Sequence, residues 1–274
     1  MENIRVQKWL SGMGICSRRE AEEWIRQNKI KINGSFCKLG MKFDPQTDDI
    51  WIEGVDKKRL LTSSKPSLVY WMLNKPVNYL SSRSSQGGKL TIFDLPSLKK
   101  IPFFTFSVGR LDYKTQGLLL ITNDGNLANK LTHPNFKVPK YYQVLSSGKL
   151  TPKEEDKIRK GLPLEDGSVA FPCDISYVHK QSSPIQGYWY LVTVYEGRNR
   201  LVRRLFENTG AGYEVKRLIR YGLGPLRLPE NLKEGEYKQL THKEIQALKA
   251  IIEDKAESLE PSTQQEQDQD QDNN

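Results

Sequence analysis

Residues 108–124, VGRLDYKTQGLLLITND, place a polar turn between two strand-like runs. The run 104–108 has apolar residues at its edges, and the run 118–122 is apolar up to its final threonine. Asp112 lies in the turn between them. A carboxylate in such a turn is fixed by its neighbours, which suits a group that must meet a substrate atom at a defined position. Spacing alone leaves open the commoner interpretation, in which a turn aspartate only caps local backbone groups.

The distribution of charge separates the body of the chain from its C-terminal stretch. The 274 residues include 42 lysines and arginines against 33 acidic residues, a formal net charge of +9. Residues 253–274 hold eight acidic residues and one lysine, so the preceding 252 residues carry a net charge of +16. A body this basic predicts a polyanionic partner, either nucleic acid or an anionic membrane surface. A basic protein without such a partner stays open on charge alone.

The sequence lacks the usual features of membrane and secreted proteins. No apolar stretch approaches the length of a membrane span, and no signal-peptide pattern opens the chain. The three cysteines, Cys16, Cys37 and Cys173, form no Cys-x-x-Cys pair, and only three histidines are present. This pattern disfavours a disulfide framework and a zinc site. We therefore expect a cytoplasmic protein without membrane contact, whose cysteines are small buried side chains.

Residues 1–60 are predicted to form a compact module of two short helices and a small sheet. Apolar residues recur at helical spacing over 4–13. The segment 17–20, Ser-Arg-Arg-Glu, is a capping box that begins a helix running to about residue 28. Residues 29–36 alternate in polarity around an Asn-Gly pair, which predicts a hairpin.

This order of elements resembles the small RNA-binding domain named after ribosomal protein S-four. The matching stretches are RVQKWLSGMGICSRREAEEWI and KIKINGSF. The resemblance implies an RNA-binding module of the α-L type. Arg18 and Arg19 fall in the first helical turn, where side chains and free amides can converge on a phosphate. The alternative is that both are solvated charges at the start of a helix.

The rest of the chain is predicted to form a linker, a larger domain and a tail. Residues 61–67 are serine-rich with a proline, which predicts a linker. Over 68–252, runs of strands are interrupted by isolated helices, which predicts an α+β fold with a mainly antiparallel, mixed sheet. Strict alternation over 169–177 predicts a strand with one buried face. Residues 253–274 are rich in glutamine and acids, which predicts a disordered acidic tail.

Several motifs in this larger domain resemble those of RNA pseudouridine synthases, and of the branch that modifies single uridines in ribosomal RNA. The matching residues are, in chain order, Asn-Lys-Pro at 74–76, Gly-Arg-Leu-Asp at 109–112, Thr115, Gly-Leu at 117–118, Thr-Asn-Asp-Gly at 122–125, Lys-x-Tyr at 140–142 and EGRNRLVRRLF at 196–206. The chain departs from the family pattern at Asn78, where glycine is usual, and at Leu201, where glutamine is usual.

The resemblance implies a role for individual residues. Asp112 is expected to be the essential carboxylate, which attacks the target uridine at either the base or the sugar. Arg203 is expected to pair with that carboxylate, and Tyr142 to stack on the target base. The residues expected to contact the substrate RNA are Arg110, Lys75, Arg200 and Arg204, with Arg18 and Arg19 in the N-terminal module.

The resemblance also implies a fold, an activity and a partner. Residues 68–252 are expected to adopt the pseudouridine synthase fold and to isomerise uridine to pseudouridine in ribosomal RNA. The motif sequences resemble those of the large-subunit branch more than those of the small-subunit branch. The net change is an isomerisation, so we expect no cofactor and no metal ion. The expected partner is ribosomal RNA, and the expected state is a monomer. The target uridine must leave the RNA stack, at a cost of a few kcal/mol.

Two other functions are compatible with the sequence. A non-catalytic RNA-binding or ribosome-assembly factor on the same fold would share the basic charge. A glycosidase with an aspartate nucleophile would need a second carboxylate near Asp112, and no candidate stands out in the sequence. The product separates the three functions: pseudouridine, no product, or a free base.

Overall fold

The computed structural model describes residues 3–56, 66–100 and 105–257, and the chain divides into two compact units. The first unit is built mainly from the chain up to Val69, and the second from most of the chain after it. Most of the predicted linker and residues 258–274 of the predicted tail lie outside the described residues.

The first unit has short elements around one apolar core. They are β1 (Ile4–Arg5), α1 (Val6–Gly12), α2 (Arg18–Arg26), β2 (Ile30–Ile32), β3 (Ser35–Phe36), β4 (Lys42–Phe43) and β5 (Ile50–Ile52). Strands β3, β2 and β5 form an antiparallel sheet in that order, and β1 pairs with β4. The core takes Val6 and Leu10 from α1, Ile25 from α2, and Ile30 and Ile52 from the sheet. The predicted helices and hairpin are therefore present.

Two local signals in this unit are confirmed. The amide of Glu20 donates to Ser17 Oγ at 3.1 Å, and the amide of Ser17 donates to Glu20 Oε2 at 3.3 Å, so α2 begins at a complete capping box. Asn33 and Gly34 have φ angles of 50° and 79°. Positive φ at both central residues is what a tight hairpin turn requires, because it matches the twist of the strands.

The second unit is dominated by a nine-stranded sheet. The described strands are β6 (Tyr70–Lys75), β7 (Phe106–Ser107), β8 (Gln116–Thr122), β9 (Lys140–Ser146), β10 (Asp174–Gln181), β11 (Gly187–Val194), β12 (Val215–Leu223), β13 (Leu226–Arg227) and β14 (Tyr237–Gln239). The helices are α3 (Gly125–Thr132), α4 (Pro152–Lys160), α5 (Leu201–Glu207) and α6 (His242–Glu257), with 3-10 turns at Ile92–Asp94, Leu98–Lys100 and Pro134–Phe136.

The order of strands explains how distant parts of the sequence meet. The sheet runs β10-β11-β9-β12-β8-β6-β14, with β13 on β12 and β7 on β8. The neighbours β10 and β11, β11 and β9, and β9 and β12 pair antiparallel. Strands β12 and β8 pair parallel, with Ile219 beside Gln116 and Arg220 beside Gly117. This mixed, mainly antiparallel sheet with isolated helices confirms the predicted α+β class.

The prediction of one continuous strand over 169–177 is wrong. Strand β10 begins only at Asp174, and the side chains of Val169 and Phe171 are 55% and 40% exposed. The amide of Phe171 donates to the carboxylate of Glu196 at 2.7 Å instead of to a neighbouring strand. Pro172, which has no amide hydrogen, follows it. Alternation in the sequence does not reveal this diversion of backbone hydrogen bonds.

The last helix runs further than expected. Periodicity predicts its end near residue 252, but α6 continues to Glu257, five residues into the stretch assigned to the tail. Across the described residues, every helix is too short or too polar to cross a lipid bilayer. Cys16, Cys37 and Cys173 are free and buried, as expected.

Candidate active site

A cleft of about 190 Å³ lies in the second unit beside the turn that carries Asp112. Asp112 is partly exposed and lines the cleft with its neighbours Gly109 and Arg110. Tyr142 of β9 and Arg220 of β12 line it from the sheet. The sequence-predicted carboxylate and aromatic ring therefore face a common space, although 30 residues separate them in the chain.

The turn around Asp112 is tied down by a buried lysine. Lys75, at the end of β6, is 0% exposed. Its Nζ donates to the carbonyl oxygens of Pro76 at 3.0 Å, Asp112 at 3.2 Å and Thr115 at 2.9 Å. Burial lowers the pKa of Lys75 to about 8, while the charge of Asp112 opposes the shift. The ammonium thus fixes the backbone that presents the carboxylate.

Lys75 was predicted to contact RNA, and that prediction is wrong. A fully buried ammonium with three carbonyl acceptors has neither the exposure nor the free donors for a phosphate. The signal that could have revealed this is the apolar run 68–73 just before it, which leads into a strand whose six residues, Lys75 included, are all buried. A lysine that closes such a run belongs to the interior.

Two further residues hold the same turn. Ser81 Oγ accepts from the amide of Leu111 at 3.1 Å and donates to its carbonyl oxygen at 2.9 Å. The amide of Asn78 donates to the carbonyl of Tyr113 at 2.7 Å. Asn78 has a φ of 64°, so the residue that stands in place of the usual glycine keeps the left-handed turn.

Gly117 sets the distance between the turn and strand β12. A Cβ at this position would lie 2.3 Å from the carbonyl oxygen and 2.8 Å from the nitrogen of Arg220. Its φ of 108° also disfavours any L side chain. Only glycine lets β8 and β12 approach this closely, and the approach brings Arg220 into the cleft.

Arg203 does not form the direct ion pair with Asp112 that the motif implied. It is 7% exposed, and it donates to the carbonyl of Val215 at 2.6 Å and of Lys114 at 3.1 Å. Burial lowers its pKa, and the nearby charge of Asp112 raises it in part. Arg203 therefore supports the Asp112 turn through its backbone and acts on the carboxylate as a neighbouring charge.

Arg220 is the buried guanidinium that sequence reasoning missed. It lines the cleft, is 3% exposed and donates from Nε to the carbonyl of Leu118 at 2.8 Å. Strand β12 also carries Lys216 and Arg217, and both of these are exposed. Three basic residues in one strand look alike in sequence. Only the pairing with Gly117 distinguishes Arg220 from the other two.

Tyr142 and Lys140 lie at alternate positions of β9 and both line the cleft. Tyr142 is 9% exposed, whereas Tyr141 packs away from it against Tyr221, with the Arg227 guanidinium 4.0 Å from the Tyr141 ring centre. Lys140 is the first residue of the Lys-x-Tyr motif, but the resemblance implied no role for it in the site. Burial, reinforced by the charge of Arg220, lowers the pKa of Lys140 to about 8.

A second carboxylate, that of Glu196, lines the cleft, and both of its oxygens are already bound by other groups of the protein. Glu196 is 5% exposed and lies 2.6 Å from Arg198 in an ion pair. Its other oxygen accepts from the amide of Phe171 at 2.7 Å. A carboxylate held in this way is a structural bridge and is poorly suited to act as the proton donor of a glycosidase.

The remaining arginines divide between the cleft and other partners. Arg110 and Arg200 line the cleft, and Arg110 is exposed. Arg200 also reaches Glu207 at 3.2 Å. Arg204 is mostly buried and pairs with Asp166 at 2.8 Å, and its expected contact with RNA stays a prediction.

Arg18 and Arg19 belong to the first unit. Both are exposed and occupy the first turn of α2, directly after the Ser17 cap. This placement agrees with a phosphate contact at a helix start, where unpaired amides and basic side chains point the same way.

Comparisons with known proteins agree with this geometry. Residues 69–208 match the family model for RNA pseudouridylate synthase, and residues 4–49 match the S4 domain. An uncharacterized RNA pseudouridine synthase of Aquifex aeolicus is 39% identical over 255 residues, covering 92% of this chain and 96% of its own. Ribosomal large subunit pseudouridine synthase B of Bacillus subtilis is 38% identical over 253 residues, covering 90% and 96%.

A solved structure shares the architecture as well. A pseudouridylate synthase crystal structure superposes with a TM-score of 0.59 at 29% identity, covering 89% of this chain and 99% of that one. The family model spans half of the chain, and the relatives span nearly all of it. Together with the cleft beside Asp112, these similarities show that the chain belongs to the RNA pseudouridine synthase family.

Proposed function

We propose that this enzyme converts uridine to pseudouridine in large-subunit ribosomal RNA, with Asp112 as the nucleophile. The observation that supports this most is the presentation of the Asp112 carboxylate into a cleft by a turn whose backbone is held by Lys75, Ser81 and Arg203. A nucleophile whose backbone is held by buried donors meets its target without a prior ordering of the turn.

Asp112 and Tyr142 have different roles in the proposed reaction. Asp112 attacks the everted uridine at the base or the sugar, and the bond from N1 to the ribose breaks. The ring turns over, and a bond from C5 to the ribose forms. The bond between the substrate and Asp112 then breaks, which restores the free carboxylate, and the proton on C5 is replaced by one on N1. Tyr142 stacks on the ring and assists removal of the C5 proton. All of these atoms come from the substrate, so the sum is an isomerisation.

The choice of ribosomal RNA rests on charge and on the relatives. The Bacillus subtilis relative is named for the large ribosomal subunit. The first 252 residues of this chain carry a net charge of +16, which favours a large polyanion. Exposed Arg18 and Arg19 add a second phosphate-binding position in the S4 domain. We also propose that the protein acts as a monomer, in the cytoplasm where ribosomes are assembled.

The test is a map of pseudouridine across ribosomal RNA from cells with and without the protein. The proposal expects loss of pseudouridine at a discrete large-subunit position, restored by the wild-type gene and not by Asp112→Asn. Purified protein should form the same modification on large-subunit RNA transcripts. An unchanged map would leave only an RNA-binding role, and release of free uracil would identify a glycosidase.

A further inference from the structure

Arg220 carries a donor that the protein itself does not satisfy. Its Nε is bonded to Leu118, but Nη2 is buried and has no hydrogen-bond partner among the described residues. A buried donor without an acceptor costs about 1 to 3 kcal/mol, and more when it is charged. Such a group in the wall of a cleft indicates that an acceptor arrives with the ligand.

The position of this donor is fixed by the backbone. Arg220 sits opposite Gly117 in the parallel pairing of β12 with β8, at the close approach that only glycine permits. The bond from Nε to Leu118 orients the plane of the guanidinium. Glu196, a carboxylate in the cleft wall, is engaged by Arg198 and by the amide of Phe171. The free donor therefore has a set direction.

We propose that Arg220 donates a hydrogen bond to O4 of the target uracil and thereby selects uridine against cytidine. This inference rests on the proposed function, since it assigns a substrate contact within the same cleft. Arginine has donors only, in a rigid fork. Uracil presents a carbonyl oxygen at position 4, whereas cytosine presents an amino group there. With cytosine, the amino group at position 4 and the guanidinium of Arg220 would both be donors, so neither would find an acceptor.

The reaction itself suits a donor at this point. Turning the uracil ring over about its N3–C6 axis exchanges O4 and O2, so a carbonyl oxygen meets the guanidinium before and after the turn. Cytosine lacks this symmetry. One fixed donor can therefore accompany the ring through the isomerisation without a movement of the protein.

The lining of the cleft favours a base over a phosphate at Arg220. Arg220 is 3% exposed, and the aliphatic side chains of Val194, Leu218 and Leu223 line the same cleft with Tyr142. Apolar walls and an aromatic ring suit the faces of a flat pyrimidine. A phosphate on the RNA backbone is better met by the exposed Arg110.

The experiment measures binding, with turnover removed by Asp112→Asn in the full-length protein. Two short RNAs carry uridine or cytidine at the target position and are otherwise identical. We expect the uridine RNA to bind at least about 10-fold more tightly, a difference of about 1.4 kcal/mol. Adding Arg220→Met should reduce this ratio to within about twofold. The matched control is Arg217→Met on the same strand, which should leave the ratio unchanged.

Two outcomes would overturn the inference. Equal weakening of both RNAs by Arg220→Met would identify a phosphate contact or a structural role. A measurement without a substitution at Arg220 covers the case in which that variant does not fold: 4-thiouridine keeps N3–H but offers a weak sulfur acceptor, and we expect it to bind severalfold more weakly. Binding equal to that of uridine would also overturn it. Since only affinities are compared, the inference can stand or fall separately from pseudouridine formation.

Discussion

The turn around Asp112 and the start of α2 present their functional groups in opposite ways. Buried donors from Lys75, Ser81 and Arg203 hold the backbone of the turn, and the short side chain of Asp112 extends only a little beyond it. Arg18 and Arg19 extend into solvent from a helix whose capping box fixes only the backbone. A group that takes part in bond formation needs a defined position, whereas phosphate contacts tolerate mobile side chains. The two regions should therefore fail differently when mutated.

The largest expected effect separates chemistry from binding. Asp112→Asn keeps the shape of the side chain but removes the nucleophile, so we expect isomerisation to fall by about 10⁴-fold or more. RNA affinity should change less than about threefold, because the loss of one negative charge at Asp112 is a small change beside the many phosphate contacts that hold the RNA. Quantified pseudouridine and filter binding give the two numbers. Residual turnover within 10-fold of wild type would remove Asp112 from its role.

The next effect tests whether the turn is held by its buried lysine. Lys75→Met leaves three carbonyl oxygens without their donor, so we expect about 2 to 4 kcal/mol of lost stability. A displaced carboxylate should lower kcat by about 10²-fold. Urea unfolding and turnover provide the measurements. Lys130→Met, an exposed lysine on α3, is the matched control and should change neither. A wild-type kcat in Lys75→Met would mean that the turn is held by other contacts.

The sequence contained enough to find Asp112, Tyr142 and the elements around them. Capping boxes and the Asn-Gly hairpin could be predicted because they are decided by residues three or fewer positions apart. The carbonyl partners of Lys75, the backbone partners of Arg203 and the burial of Arg220 could not. Each depends on a strand or turn that is distant in the chain, and a basic residue looks the same in sequence whether it binds RNA or a carbonyl group.

The third effect concerns the exposed Arg18 and Arg19 at the start of α2. Arg18→Gln with Arg19→Gln should weaken RNA binding by about 10-fold, because two phosphate contacts are lost. The slope of log K against log salt should fall by about 1 to 2 units, and folding stability should stay unchanged. Arg26→Gln at the other end of α2 is the control. An unchanged salt slope in the double variant would show that these arginines are solvated charges that do not touch RNA.

The last effect is a pH dependence of folding stability, which involves neither RNA binding nor turnover. Burial lowers the pKa of Lys140 to about 8 in the folded protein, from an ordinary value of 10.5. Between these values the unfolded chain binds more protons, so this lysine makes stability rise with pH, by up to about 1.4 kcal/mol per unit. Denaturation of wild type and Lys140→Met from pH 7.5 to 9.5 isolates the contribution. Parallel curves for the two proteins would contradict it.

The cage of carbonyl oxygens around Lys75 has a consequence for substrate choice. The three carbonyl oxygens and the ammonium that they surround order the turn before RNA arrives, so no binding free energy is needed to order the nucleophile. That free energy is instead available for pulling the uridine out of its stack. The enzyme should then discriminate between RNAs mainly by how easily each one releases its base, and the same uridine in a tight stem should react more slowly than in an open loop.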